Sequence, residues 1–106
     1  MIVTSSEHIA GKKIVKTIGL VKGNTVRARH IGRDIAAILR TIIGGEVREY
    51  TKLIAESREQ SIDRMIEDAK SKGANAIIMI RFSTSEIMSG AAELLAYGTA
   101  VVVEDE

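Results

Sequence analysis

The feature that most constrains this chain is one stretch, residues 44–76, which predicts a single long helix. Gly44 and Gly45 open the stretch, and Lys72 and Gly73 supply the positive charge and the glycine that favour a helix C-terminus. Between them, apolar and small side chains recur at the period of a helix with one buried face. These side chains are Tyr50, Leu53, Ile54, Ser57, Ser61, Ile62, Met65, Ile66 and Ala69.

Small residues on this helix predict a close contact with a strand. Ser57 and Ser61 interrupt the apolar stripe of the helix. Ala96, Gly98 and Ala100 share one face of the last predicted strand. Small side chains on two facing surfaces allow their backbones to approach each other. We therefore expect Gly98 to face the long helix near Ser57 and Ser61.

The N-terminal part of the chain predicts extended structure. Residues 1–12 read as a short edge strand followed by a loop, and residues 13–29 are rich in β-branched side chains. Gly23 and Asn24 interrupt the second segment, either as the turn of a hairpin or as a bulge in one long strand. We favour one bent strand.

The C-terminal part predicts two more strands, in residues 75–88 and 92–104, joined by a turn at 89–91. Residues 30–43 predict a shorter helix that ends at the glycine pair. The expected architecture is an α+β domain spanning residues 1–106, in which an antiparallel sheet packs on one long and one shorter helix.

Both faces of the penultimate strand are apolar, although a sheet with one wet face should alternate cleanly. We therefore expect the second face of the sheet to be buried between subunits, where Arg81 and Glu93 would pair across the contact. Strict alternation places Ile78, Ile80 and Phe82 on one face and Ile77, Met79 and Arg81 on the other.

Composition excludes several classes of function. The 106 residues carry a formal charge of +1, which gives no electrostatic reason to expect nucleic acid or a membrane as a partner. Cysteine is absent, so disulfides and thiolate metal sites are excluded. The apolar residues near the N-terminus are too interrupted for a signal peptide or a membrane span. We expect a soluble cytoplasmic protein.

Several short motifs together resemble the YbjQ family, small proteins of unknown biochemical function, over nearly the whole chain. The first motifs are Gly19 and Gly23, Arg33-Asp34, and Ile43-Gly44-Gly45. The others are Tyr50, Leu53 and Arg58 in the long helix, Gly73-Ala74-Asn75-Ala76 after it, and Gly98-Thr99-Ala100-Val101 near the C-terminus.

The resemblance implies a two-layer β-α-β-β subunit of dodecin-like topology that assembles into a homopentameric ring. It also implies heavy-metal binding, because the family often carries that label. The chain departs from the family pattern at His30, where Asn is common, at Ser57, where Ala is usual, and at Asn75, where Asp is common. The change at Asn75 removes a carboxylate and so weakens the metal label.

The candidate metal ligands are His30 and Asp34, whose spacing places both on one face of a helix and gives half a site. A stable site needs three or four protein ligands, and the chain has only two histidines. A ring could multiply a single ligand around its axis. The alternative is that His30 caps the predicted shorter helix and Asp34 offsets its dipole.

The remaining candidates are residues that could hold a small molecule. The glycine pair at the start of the long helix could bind an anion through free N–H groups or simply form a tight turn. The tyrosines could stack on a ligand or pack in the core, and the arginines could clamp an anion or form a salt bridge between subunits. The candidates are Gly44, Gly45, Tyr50, Arg58, Arg81 and Tyr97.

No set of residues in the sequence has the spacing of a catalytic site, since neither Ser5 nor Ser6 has a titratable neighbour placed to activate it. We therefore do not expect an enzyme. Two classes of function remain. The first is a ligand-binding or storage ring, with a metal ion as one conceivable ligand. The second is a structural or interaction scaffold without a small-molecule ligand.

Overall fold

The computed structural model describes residues 1–27, 48–88 and 91–106. Its elements are β1 (Ile2–Val3), β2 (Lys12–Arg27), α1 (Arg48–Ser71), β3 (Ala76–Met88) and β4 (Ala91–Asp105). The strands form one sheet in the order β1-β3-β4-β2, and α1 packs on one face of it. The predicted α+β architecture is confirmed. The shorter helix predicted at 30–43, and the turn residues 89 and 90, lie outside the described residues.

The sheet is mixed rather than purely antiparallel. The three long strands pair antiparallel as expected, but β1 runs parallel to β3, with Ile2 beside Ala76 and Val3 beside Ile77. A parallel pair requires a long crossover connection, and here the chain between the two strands includes β2 and α1. The expectation of an antiparallel sheet is therefore wrong for β1.

The segment that contains Gly23 and Asn24 belongs to one continuous strand. Both residues pair in unbroken register with Ala96 and Leu95 of β4, so they form neither a hairpin turn nor a bulge. The register shifts of β2 lie nearer its N-terminus, between Ile14 and Lys16 and between Thr17 and Gly19. The expectation of one long strand is confirmed, with its irregularities displaced toward the N-terminus.

Gly23 is the point at which the helix and the sheet come closest. A Cβ atom on Gly23 would lie 2.2 Å from the carbonyl oxygen of Ser61 and 2.3 Å from the backbone nitrogen of Met65. Real Cβ atoms do not approach backbone atoms so closely, so only glycine fits. The backbone of β2 therefore lies directly against the backbone of α1.

A cluster of buried hydroxyl groups fixes this contact. The hydroxyl oxygen of Thr25 lies 2.8 Å from that of Ser61, and both lie within hydrogen-bond distance of the Ser57 carbonyl, at 3.2 and 3.0 Å. Ser61 also lies 3.1 Å from the carbonyl oxygen of Leu94. Because these groups are buried, their mutual hydrogen bonds offset the cost of removing them from water. The cluster joins α1 to β2 and β4.

The main hydrophobic core lies between α1 and the sheet and is built from small and aliphatic side chains. The expectation that Ala96 and Ala100 face the helix is confirmed. Gly98 shares their face, but a Cβ there would meet Ile77 Cγ2 at 2.9 Å and the Ile78 carbonyl oxygen at 3.0 Å. The strand β3, rather than the helix, therefore crowds Gly98. The fully buried members of this core are Val21, Met65, Ala69, Ile77, Ala96 and Ala100.

The alternation predicted for β3 is broken by a bulge. The pairing with β4 shifts between Ile78 and Arg81, and Met79 has a φ of 55°, in the left-handed region. The extra residue reverses the faces of the residues that follow it. Ile80 therefore packs with the helix-side core, and Ile78 lies on the opposite face. The prediction that these two residues share a face is wrong.

The second face of the sheet is partly covered by the chain itself. Ile9 packs on a second buried cluster that contains Ile78 and Val101. The segment of residues 4–11 is held there by hydrogen bonds between Thr4 and Ile77 (3.0 Å) and between Met79 and Ser6 (3.0 Å). This part of the face therefore needs no second subunit to bury it. The cluster comprises Ala76, Ile78, Val101 and Val103.

The surroundings of Gly23 and Gly98 predict which substitution destabilises the fold more. Gly23→Ala drives a methyl group into helix backbone, whereas Gly98→Ala meets mainly the side chain of Ile77, which can shift. We expect Gly23→Ala to lower the free energy of unfolding by about 1–3 kcal/mol or more, and Gly98→Ala to lower it less. Chemical denaturation measures both, with Lys16→Ala at an exposed site of β2 as control. Equal stability of all three variants would contradict this contact.

An ion pair between β2 and β4 at the end of the sheet leads to a prediction about pH. Lys12 donates a hydrogen bond to Asp105, and this bond and the charge of Lys12 lower the pKa of Asp105 below its ordinary value. Because the folded-state pKa is depressed, the stabilisation is present above the unfolded-state pKa and is lost as pH falls through the folded-state pKa. Lys12→Ala should raise the pKa of Asp105 in an NMR titration, and the control Lys13→Ala should not.

Candidate functional site

The part of the second sheet face that residues 4–11 do not cover is accessible and carries both apolar and polar side chains. Leu20 and Val26 of β2 are 63% and 49% exposed, and their pairing partners in β4 are Thr99 and Glu93. Leu95 of β4, which pairs with Asn24 of β2, is half-buried. We call this surface the open face; it consists of Leu20, Lys22, Asn24, Val26, Arg81, Ser83, Ser85, Glu93, Leu95, Tyr97 and Thr99.

One row across the open face contains two of the predicted site residues. Tyr97 of β4 pairs with Arg81 of β3 on one side and with Lys22 of β2 on the other. Residues that pair directly across neighbouring strands share a face, so a half-buried phenol ring lies between two exposed cationic residues. A row of this kind offers an aromatic surface for stacking and two charges for an anion.

The polar partners of Arg81 and Glu93 lie within the subunit. The guanidinium of Arg81 donates to the carbonyl oxygens of Ser5, at 3.0 Å, and Ile80, at 2.8 Å. Glu93 accepts a hydrogen bond of 3.1 Å from the side-chain amide of Asn24. Both residues lie on the expected face, and their pairing across a subunit contact stays a prediction.

Of the other candidates, Arg58 has a described side chain, and it lies away from this row. Arg58 is exposed on α1, which lies on the opposite face of the sheet. Tyr50 lies in α1, and the structure describes its backbone only. The remaining predicted site residues lie outside the described residues, and they are His30, Asp34, Gly44 and Gly45.

Across residues 1–27, 48–88 and 91–106, no three side chains of His, Cys, Asp or Glu are grouped closely enough to hold a metal ion. His8 is exposed, and its Nε2 atom lies 3.6 Å from the carboxylate of Glu7. Two adjacent exposed ligands do not form a structural metal site. The same residues contain no helix long and apolar enough to cross a membrane.

Asn75 has a structural role that the sequence did not predict. Its side-chain oxygen accepts a hydrogen bond of 2.8 Å from the backbone nitrogen of Val103, and its side-chain nitrogen donates one of 2.9 Å to the carbonyl oxygen of the same residue. The amide thus replaces a strand partner at the start of β3. An ionised Asp has no donor and could make only the first bond.

A family model described as "putative heavy-metal-binding" matches residues 1–104 of the chain. The chain belongs to this YbjQ family. It is 61% identical over 104 residues to a UPF0145 protein of Dehalococcoides mccartyi, covering 98% of this chain and all of the relative. It is 51% identical over 106 residues to one from Clostridioides difficile, covering all of this chain and 95% of the relative.

One solved structure is similar in fold. It is a protein of unknown function of the DUF74 family from Pediococcus pentosaceus, with a TM-score of 0.57 and 14% sequence identity. The match covers 98% of each chain. At this identity the likeness supports the fold alone. The dodecin-like topology implied by the resemblance stays a prediction.

The sparse metal ligands lead to a prediction about the isolated subunit. We expect no tight one-to-one binding of zinc or copper, because the chain has no cysteine and only two histidines. Isothermal calorimetry of wild type, His8→Ala and His30→Ala measures this. A tight site in the wild type that is lost in His30→Ala would contradict the prediction.

Proposed function

We propose that the protein is the subunit of a homo-oligomeric ring that buries the open face and holds a small ligand there. The observation that carries the proposal is a diagonal row of four apolar or aromatic side chains on this face, of which Leu20 is 63% exposed and Val26 is 49% exposed. Leu20 and Val26 of β2 lie diagonally across from Tyr97 and Leu95 of β4. Exposed apolar side chains grouped in this way mark an interaction site. The number of five copies comes from the family resemblance and not from the described geometry.

The apolar residues of this face favour a contact over a fully solvated surface. Among the residues of β2 and β4 that face outward, Leu20, Val26, Leu95 and Tyr97 are apolar or aromatic, and Lys22, Asn24, Glu93 and Thr99 are polar. A fully solvated sheet face would carry polar side chains at nearly all of these positions. Burying apolar side chains contributes roughly 25 cal/mol per Å² of surface removed from water, which must exceed the entropy cost of association.

The ligand that best suits the open face is a small anion with a planar group. Tyr97 offers the aromatic surface, and Lys22 and Arg81 offer positive charge on either side of it. Burial of this row in an assembly would strengthen its electrostatic attraction for an anion, because water would be excluded. The proposed role is binding or storage without catalysis.

The alternative function is a scaffold without a small-molecule ligand. The absence of a three-residue metal cluster from the described residues favours it over metal storage by a single subunit. Native mass spectrometry with elemental analysis, on protein purified without additives, separates the two functions. A bound small molecule or metal supports storage, and a ligand-free oligomer supports the scaffold.

The open face makes a prediction about assembly. Leu20→Glu places a charge in the proposed contact and should reduce the mass measured by light scattering toward that of a monomer, with little change in unfolding temperature. Lys13→Gln makes the same change in net charge at an exposed site of β2 and should leave the mass unchanged. A monodisperse wild-type monomer at micromolar concentration would refute the proposal.

A further inference from the structure

Among the described strands, β2 forms one margin of the sheet, and it is 16 residues long. The edge strand of a sheet presents a row of backbone N–H and C=O groups to which a strand of another chain can add. The other side of β2 pairs with β4 from Lys12 to Arg27. Copies of this chain can therefore join strand to strand only if the backbone groups on the outer edge of β2 are available for hydrogen bonds.

Two side chains of α1 and one from the turn that follows it occupy the middle of this edge. Arg64 donates to the carbonyl oxygen of Asn24, and Asp68 accepts a hydrogen bond of 3.2 Å from the backbone nitrogen of Lys22. Lys72 lies 3.5 Å from the carbonyl oxygen of Leu20. Alternate residues of a strand direct their backbone groups to the same side, so these three strand residues all face away from β4.

The charges of the helix residues match the backbone groups that they contact. Arg64 and Lys72 are cations and contact carbonyl oxygens, whereas Asp68 is an anion and accepts from an N–H group. The three residues lie at successive four-residue spacings, which places Arg64 and Asp68 on one side of α1 and Lys72 in line with them just after its last residue. The carboxylate of Asp68 also pairs with Lys72 at 3.4 Å.

The N-terminal part of the same edge is irregular. Register shifts between Ile14 and Lys16 and between Thr17 and Gly19 interrupt its pairing with β4. Exposed Lys13 and Lys16 add charge there. Bulges and lysines are features by which edge strands resist the addition of another strand. The regular segment from Leu20 to Asn24 lacks both a bulge and a Pro, and the helix side chains contact this segment.

We propose that Arg64, Asp68 and Lys72 form an edge cap that prevents a second copy of this chain from adding its β2 strand to the sheet. The cap satisfies the backbone groups that such a strand would need. It also places three charged side chains in the space that the incoming strand would occupy. Loss of the cap should therefore allow two copies to pair edge to edge along β2.

The test compares two double variants of α1. Arg64→Ala/Asp68→Ala removes two members of the cap, and Asp63→Ala/Lys70→Ala removes one anion and one cation elsewhere on the helix, so neither variant changes the net charge. We expect the cap variant to form larger species that increase with concentration in sedimentation velocity, and the control to keep the wild-type distribution. In hydrogen exchange at concentrations too low for association, the amide of Lys22 should exchange faster in the cap variant than in the wild type and the control, because its bond to Asp68 is lost.

A third substitution separates strand addition from general destabilisation. Lys22→Pro in the cap variant removes the N–H group that an incoming strand would use, and proline is tolerated at a sheet edge whose N–H has no ladder partner. It should restore the wild-type mass distribution. Equal behaviour of the cap variant and its control, or larger species that persist with Lys22→Pro, would overturn the edge cap.

If the cap variant does not fold, the single variant Arg64→Ala provides the same comparison, with Lys70→Ala as its control. The result is independent of the proposed ring, which is tested by the mass of the wild type and of Leu20→Glu. A wild-type monomer whose cap variant associates would refute the ring and support the cap. A wild-type oligomer whose mass is unchanged by loss of the cap would support the ring and refute the cap.

Discussion

The rest of the structure depends on the direct contact between the backbones of β2 and α1 at Gly23. An atom at the Cβ position would lie 2.2 Å from a helix carbonyl, so the two layers meet without an intervening side chain. At this separation the hydroxyl groups of Thr25 and Ser61 reach each other at 2.8 Å. Neither the hydroxyl cluster nor a core of alanines would suit a helix one side chain farther away. The contact thus selects small residues on both surfaces.

The same closeness explains why α1 can reach around the margin of the sheet. Arg64 and Asp68 lie near Met65, which is fully buried beside the strand, so their side chains extend past β2 and meet its outer backbone groups. One face of the sheet is thus covered by the helix, and part of the other by residues 4–11. The open face combines exposed apolar side chains with regular strand pairing. The proposed assembly follows from this division.

Sequence patterns predicted the elements that rest on periodicity. The long helix, the three long strands and the inward face of Ala96 and Ala100 follow from periods of 3.6 and 2 residues. The bulge at Met79 was missed because Ile77, Ile78 and Ile80 beside it are all apolar, so a shift in register leaves the hydrophobic pattern at these positions unchanged.

Sequence patterns also did not predict the contacts between residues that are far apart in the chain. Gly23 and Gly98 both have strand neighbours and small side chains nearby, and only the packing of the layers reveals which of them lies beneath the helix. The edge cap has a visible four-residue spacing along α1 and the turn after it, but its partners are backbone atoms that carry no sequence signal. Likewise, Arg81 pairs with Tyr97 because of the shifted register of β3. The sequence therefore predicted both residues as candidates but did not predict that they are neighbours.

The family description and the geometry lead to different expectations about where a ligand binds. A heavy-metal site within one subunit needs several imidazole or carboxylate donors together, and the described residues contain no such group. The open face instead distributes Lys22, Tyr97 and Arg81 over three strands, with one residue from each. Such a row is wet and weak in a lone subunit, because water screens its charges. In the proposed ring the same three residues would lie in a dry contact, so ligand affinity would depend on assembly.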